Sequence, residues 1–244
     1  MIDVHCHLTE EPLIDNLDAV LDEAAATGVR AIVTSGIGPE DCRRVLEIAD
    51  NRYVFPSLGI EPYELEGYEK VIDLIRKEKH RVVMIGEVGL DYYVAPRETR
   101  DLQQKVFIEF IELSKELDKP LIIHSRSAGK YAIDILIQNK AERVIMHAFD
   151  GKPSHAERGA KNGFFFSIPP SVARSEQKQK LVKRLPLENL LLESDAPVLA
   201  PERNMVNKPS NIKVSAEWIA RLKEINIEHV MEKTEQQARE LLLI

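Results

Sequence analysis

Ile2-Asp3-Val4-His5-Cys6-His7 is a short apolar run that ends in metal-type side chains, and the same phrase recurs along the chain. Side chains on a strand alternate faces, so residues two apart share a face. His5 and His7 therefore point one way and Cys6 the other. Two imidazoles on one face can hold a divalent ion, because neutral imidazole nitrogen is a good ligand for zinc, iron and manganese. Alone, the pair reads equally well as two hydrogen-bonded polar residues near a strand end. The rest of the chain decides between these readings.

Further apolar runs follow at Ala31 to Thr34, Val54 to Leu58, Val82 to Ile85, Leu121 to Ile123, Val144 to Met146, Phe164 to Ser167 and Leu190 to Leu192. Between them lie amphipathic stretches, among them Leu13 to Ala26, Tyr68 to Lys77, Gln103 to Leu117, Ala128 to Asn139 and Ser215 to Leu222. Strand alternating with helix implies parallel strands and right-handed crossovers. Eight such units in 244 residues close most economically into one (β/α)8 barrel, with an open doubly wound sheet as the alternative. No Gly-, Ser- or Pro-rich linker and no low-complexity segment divides the chain. Residues 1–244 are expected to form a single domain.

Composition narrows the function classes. An apolar fraction of 44% and a charged fraction of 30% describe a folded globular chain rather than a disordered one. No apolar run approaches a membrane span. The first residues include acids and histidines where a signal peptide needs a basic end and an apolar stretch, so a cytoplasmic location is expected. The formal net charge of −7 argues against broad duplex binding, which needs a basic surface. It leaves room for a nucleic-acid end in a local pocket where metal ions offset phosphate charge. Cys6 and Cys42 make no disulfide framework and read as buried thiols.

The polar residues fall at strand ends. After His5 and His7, the fourth run continues into Gly86-Glu87-Val88-Gly89-Leu90-Asp91, and the fifth ends in His124-Ser125-Arg126. The sixth ends in His147-Ala148-Phe149-Asp150 and the eighth in Glu193-Ser194-Asp195-Ala196-Pro197. In a barrel these ends converge on one mouth, where active sites sit. Burying so many ionisable groups without a cation is costly, so a metal site is the better reading. His80, His155 and His229 lie in charged or helix-start contexts and read as surface residues.

These segments resemble the TatD family of metal-dependent hydrolases, within the amidohydrolase superfamily of (β/α)8 barrels. The resemblance rests on Asp3 to His7, Gly86 to Tyr92, Gln104 with Phe107, Pro120 to Arg126, His147 to Gly151 and Leu191 to Pro197. Asn207-Lys208-Pro209 and Thr234-Glu235-Gln236-Gln237-Ala238 extend it towards the C-terminus, with Gln237 in place of an Asn. The resemblance implies two divalent ions: magnesium, manganese or zinc. His5, His7 and Asp195 would hold one, His124 and His147 the other, and Glu87 would bridge them. Such a pair activates water and stabilises attacking and leaving oxygens. Asp195 would also act as general base. Glu193, two residues earlier on the same face, would support the water or a metal as a second catalytic carboxylate, or serve only to orient a ligand.

One departure stands out. The family's third strand ends in Gly-x-His-Pro-His, and this chain has Gly59-Ile60-Glu61-Pro62-Tyr63. Glu61 puts a negative charge where a histidine is expected over the substrate phosphate, unless it is protonated or binds a further metal. Arg126 and Asn207 remain as candidate substrate contacts, with an ion pair to a rim carboxylate as the alternative for Arg126. Three functions follow. The first is a TatD-type phosphodiesterase acting on DNA ends. The second is a hydrolase of a small amide, lactone or phosphoester using the same ions. The third is a metal-binding protein without turnover, against which the intact Glu87 and Asp195 speak. Tyr63, Tyr92, Tyr93 and Phe149 near strand ends would permit base stacking. No obligate protein partner and no membrane partner is expected.

Overall fold

All eight apolar runs form strands, and the strands pair in parallel in the order in which they occur. The computed structural model describes residues 1–244. The strands are β1 (Ile2–Cys6), β2 (Ala31–Ile37), β3 (Val54–Gly59), β4 (Met84–Gly89), β5 (Leu121–His124), β6 (Val144–Met146), β7 (Phe165–Ile168) and β8 (Leu190–Leu192). The helices are α1 (Leu17–Ala26), α2 (Pro39–Ile48), α3 (Tyr68–Lys77), α4 (Arg100–Leu117), α5 (Gly129–Gln138), α6 (Pro153–Lys161), α7 (Glu176–Arg184), α8 (Ile212–Lys223) and α9 (Ile227–Leu242). This is a (β/α)8 barrel. The last seam is closed by side-chain and loop bonds: Ser194 donates its N–H and hydroxyl to Asp3, and the Asp195 N–H bonds the His5 carbonyl at 2.9 Å.

The helices follow their apolar stripes. In α3, Val71, Ile72 and Ile75 are buried at helical spacing while the charged positions stay outside. The periodic stretches marked out in the sequence hold this layer, and α7 does not stand out among them because only two of its nine residues, Leu181 and Val182, are apolar. Its start is set instead by Ser175, whose side chain accepts the Lys178 N–H.

Alternation sorts the strand residues into two layers. Val33, Phe55, Met84, Ile122, Ile145 and Leu191 pack inside the barrel, and Ala238, Leu241 and Leu242 of α9 pack with them. Ile32, Leu58, Ile85, Ile123, Met146 and Leu192 face the helices. Two strands break the pattern. The β1–β2 register shifts between Asp3 and Cys6, and the β4–β5 register shifts between Ile85 and Val88. Each shift inserts one residue, the signature of a bulge, which re-aims the side chain beside it. In β1, Val4 lies in the inner layer and Cys6 in the outer one. His5, between them, turns inward as well. In β4, Met84 is inner while Ile85 and Val88 are outer. Glu87 is thereby brought inward, against strict alternation. The backbone there needs glycine: Gly86 and Gly89 have φ of 136° and 145°, and a Cβ on either would meet a carbonyl of β5.

Candidate metal centre

Glu87 is the centre of the site. Its Oε2 lies 3.2 Å from His5 Nε2 and 3.5 Å from His7 Nε2. Its Oε1 lies 2.5 Å from His124 Nδ1 and 3.4 Å from His147 Nε2. Asp195 Oδ1 is 3.5 Å from His5 Nε2 and 3.6 Å from His7 Nε2. The six residues named for metal binding thus come together at the mouth, one carboxylate oxygen facing each histidine pair. Three overlapping groups of donors gather within 4.8 Å: His5, His7 and Glu87; His5, His147 and Asp195; Glu87, His124 and His147.

The outer nitrogen of each histidine is fixed by its own partner. His5 Nδ1 lies 2.9 Å from Ser35 Oγ, and His7 Nδ1 is 3.2 Å from the Ser35 carbonyl. His147 Nδ1 lies 3.1 Å from Glu193, and His124 Nε2 is 2.9 Å from Asp91. A carbonyl or carboxylate accepts, so His7, His124 and His147 carry a proton on the nitrogen that meets it, and in each the other nitrogen faces the centre. His5 Nε2 is buried without a hydrogen bond. An inner ring nitrogen without a hydrogen-bond partner, among four imidazoles and two carboxylates, fits the donor set of a divalent cation once its proton leaves.

Charges at the centre are strongly coupled. Burial works against ionising Glu87, but the neighbouring His147 and His124 outweigh it and hold the carboxyl well below its usual range. Asp195 behaves alike: burial is overcome by His147 and by the adjacent rings of His5 and His7, and its carboxyl is lowered. Burial disfavours the charged rings, yet the adjacent carboxylates of Asp195 and Glu87 push His5 up to about 9. For His124, burial is outweighed by Glu87 and Asp91, and the value rises to about 10.

A cavity of about 540 Å³ opens over the centre. Glu10, Glu61, Tyr63, Arg126, Asp150 and Lys178 line it above the ligands. Glu61 reaches it, as the sequence suggests, and accepts the Tyr63 hydroxyl. Burial, with the nearby Glu87 adding to it, raises the Glu61 carboxyl above its usual range although the Tyr63 bond opposes this. Arg126 lines the cavity without an ion pair; its guanidinium sits 4.2 Å over the Tyr93 ring.

Three expectations are corrected or refined. Asn207 does not face the cavity. Both of its amide hydrogens are used, on the Ser194 carbonyl at 2.6 Å and the Val198 carbonyl at 2.8 Å, so it braces the β8 loop and has no donor left for substrate. Glu193 is fully buried behind His147, with its oxygens taken by His147, the Ser167 hydroxyl and the Ala148 N–H. That is the geometry of a group that orients a ligand. Phe149 is buried against Phe166 and offers no stacking face, whereas Tyr63 and Tyr93 are exposed.

Sequence reasoning missed Lys178, Glu10, Ser35 and the role of Asp91. Asp91 is bound through Gln103, whose side chain accepts its N–H and donates to its carbonyl. Asp91 stood in plain view in Gly89-Leu90-Asp91, but only the fold shows that it faces His124.

Comparison with known proteins agrees with this geometry. The chain matches the family described as TatD related DNase over residues 2–243. It is 40% identical to the human protein named deoxyribonuclease TATDN3, over 99% of this chain and 94% of that one. It is 34% identical to YabD of Bacillus subtilis, an uncharacterized metal-dependent hydrolase, over 100% of this chain and 99% of that one. The crystal structure of the Escherichia coli TatD homologue YJJV superposes with a TM-score of 0.92 at 26% identity, covering 100% of this chain and 98% of the other. With that family match on a barrel whose mouth gathers a divalent-cation donor set, the chain belongs to the TatD-related DNase family of metal-dependent hydrolases.

Proposed function

We propose that this protein is a phosphodiesterase of the deoxyribonuclease type that acts on DNA ends with two divalent ions, magnesium, manganese or zinc. The observation that carries the reading is Glu87, which offers one oxygen to the His5–His7 pair and the other to the His124–His147 pair. Two ions bound there supply Lewis acidity, lowering the pKa of water and stabilising charge on the attacking and leaving oxygens. His5, His7 and Asp195 hold one ion, His124 and His147 the other. Asp195, kept ionised by its histidine neighbours, takes the proton from the attacking water. Glu193 acts through His147, fixing its tautomer and ring orientation. Arg126 and Tyr93 at the rim contact the substrate's phosphate and an unpaired base. Residues 1–244 work as a single catalytic domain, in the cytoplasm and without an obligate protein partner; no helix is long and apolar enough to cross a membrane.

A second reading is a hydrolase of a small amide, lactone or phosphoester. It is favoured by the carboxylates Glu10 and Glu61 at the cavity wall, which repel a polyanion. The test is a panel of single-stranded oligonucleotide, model phosphoester, amide and lactone with the metal-loaded protein. The expected result is oligonucleotide turnover that chelation abolishes, with kcat/KM on DNA ends raised in Glu61→His. Turnover confined to the amide or lactone overturns the nuclease reading.

A further inference from the structure

Lys178 is a buried cation that the chemistry above leaves unused. The residue is only 8% exposed, and it lines the cavity beside the ligands. Its ammonium donates one hydrogen bond, to the Ala148 carbonyl at 2.8 Å. No carboxylate lies within the 4.0 Å of an ion pair. An ammonium has three donors, so two remain free. A charge removed from water without a partner is costly, and a buried cation of this kind calls for an anion.

Its position is built by the fold. Ser175 caps α7 and sets Lys178 in the first turn. Long helical side chains lean towards the helix N-terminus, which carries the ammonium back to the segment after His147. Support of the Ala148 carbonyl, in a residue with φ of 39°, needs a donor there but not a full charge. Glu193, Asp195 and Asp150 attract the charge from beyond ion-pair distance, and none of them takes a hydrogen bond from it. The other cavity cation, Arg126, is exposed at the rim, while Glu10, Glu61 and Asp150 are acidic. An anion that reaches the centre therefore has one buried cation to meet.

Building on the phosphodiesterase reading, we propose that Lys178 grips a non-bridging oxygen of the scissile phosphate, making it a substrate-anion contact and a determinant of specificity for phosphoesters over neutral esters and amides. A charge-assisted hydrogen bond accounts for both its burial and its free donors.

The test uses the metal-loaded full chain with inorganic phosphate as ligand and a single-stranded oligonucleotide as substrate. Lys178→Met removes charge and donor; Lys178→Gln removes the charge and keeps a donor for Ala148. Phosphate affinity should fall about 10- to 100-fold in both variants. The loss on the oligonucleotide should appear chiefly as a raised KM. Metal content should stay at the wild-type level in both variants, and Tm in Lys178→Gln, while Lys178→Met, which leaves the Ala148 carbonyl without its donor, melts a few degrees lower. Unchanged phosphate affinity in Lys178→Met overturns the proposal, as does full recovery in Lys178→Gln or a loss that tracks depleted metal. If the wild type binds phosphate through Lys178 yet cleaves no phosphodiester, the nuclease reading fails and the anion contact stands.

Discussion

β5, β6 and β8 deliver their site residues by keeping the alternation of a strand, whereas β1 and β4 deliver theirs by breaking it. Ile122, Ile145 and Leu191 point into the barrel, and His124, His147 and Glu193 follow two residues later on the same face. In β1 and β4 a one-residue bulge intervenes, and His5 and Glu87 turn inward from positions that alternation would send outward. Regular strands thus carry the outer walls of the centre. The bulged ones bring in its central carboxylate, Glu87, and its most buried ring, His5, whose exposure is 0%. A regular strand tolerates modest side-chain change, while a bulge depends on its backbone.

The largest effect is expected where the two kinds of strand meet. Asp195 follows regular β8 and its N–H bonds the carbonyl of His5 in the bulge. Asp195→Asn keeps shape and loses charge and proton acceptance. A fall in kcat of roughly 10²- to 10⁴-fold is expected, with Tm little changed. Steady-state kinetics and a thermal melt check it; near-normal kcat would remove Asp195 from the role of base.

That contrast also marks how much the sequence made legible. The barrel was readable because eight apolar runs each fit one strand, and the centre because chemistry-bearing residues close five of them. His5 and His7 share a face, as their spacing implies, but the inward turn of His5 relative to Val4 depends on a bulge that no local pattern announces. The fourth strand was read as Val82 to Ile85 and lies at Met84–Gly89, because the glycine-rich end of that segment looks like a loop. Asn207 was misread because its polarity says nothing of where its amide hydrogens go. Lys178 was invisible: in Glu176-Gln177-Lys178-Gln179-Lys180 it looks like any solvated helix residue, and only the fold buries it.

Smaller effects separate the strands directly. Gly86→Ala forces a side chain into a backbone conformation that suits glycine and against the Ile122 carbonyl. It should cost roughly 2–4 kcal/mol and weaken metal binding, because Glu87 is the next residue. Ile145→Val trims the inner layer of a regular strand and should cost about 0.5–1.5 kcal/mol with metal affinity kept. Denaturant melts and metal titrations of both variants decide it. Equal metal loss in the two would erase the distinction.

The proposed division of the donor set by Glu87 gives two cation sites. Metal titration of the ion-free protein, followed by native mass spectrometry, tests it most directly. The raised values of His5 and His124, about 9 and about 10, mean that both rings hold protons near neutrality in the ion-free fold. Their folded values lie above the unfolded one, so the stability they add is full below the ordinary histidine value and is lost as pH rises through about 9 to 10. Ions must displace those protons, so affinity should rise with pH. Two divalent ions are expected per wild-type chain, and one at most in Glu87→Gln at the same free-metal concentration. A single ion in the wild type, or two retained by Glu87→Gln, would contradict it.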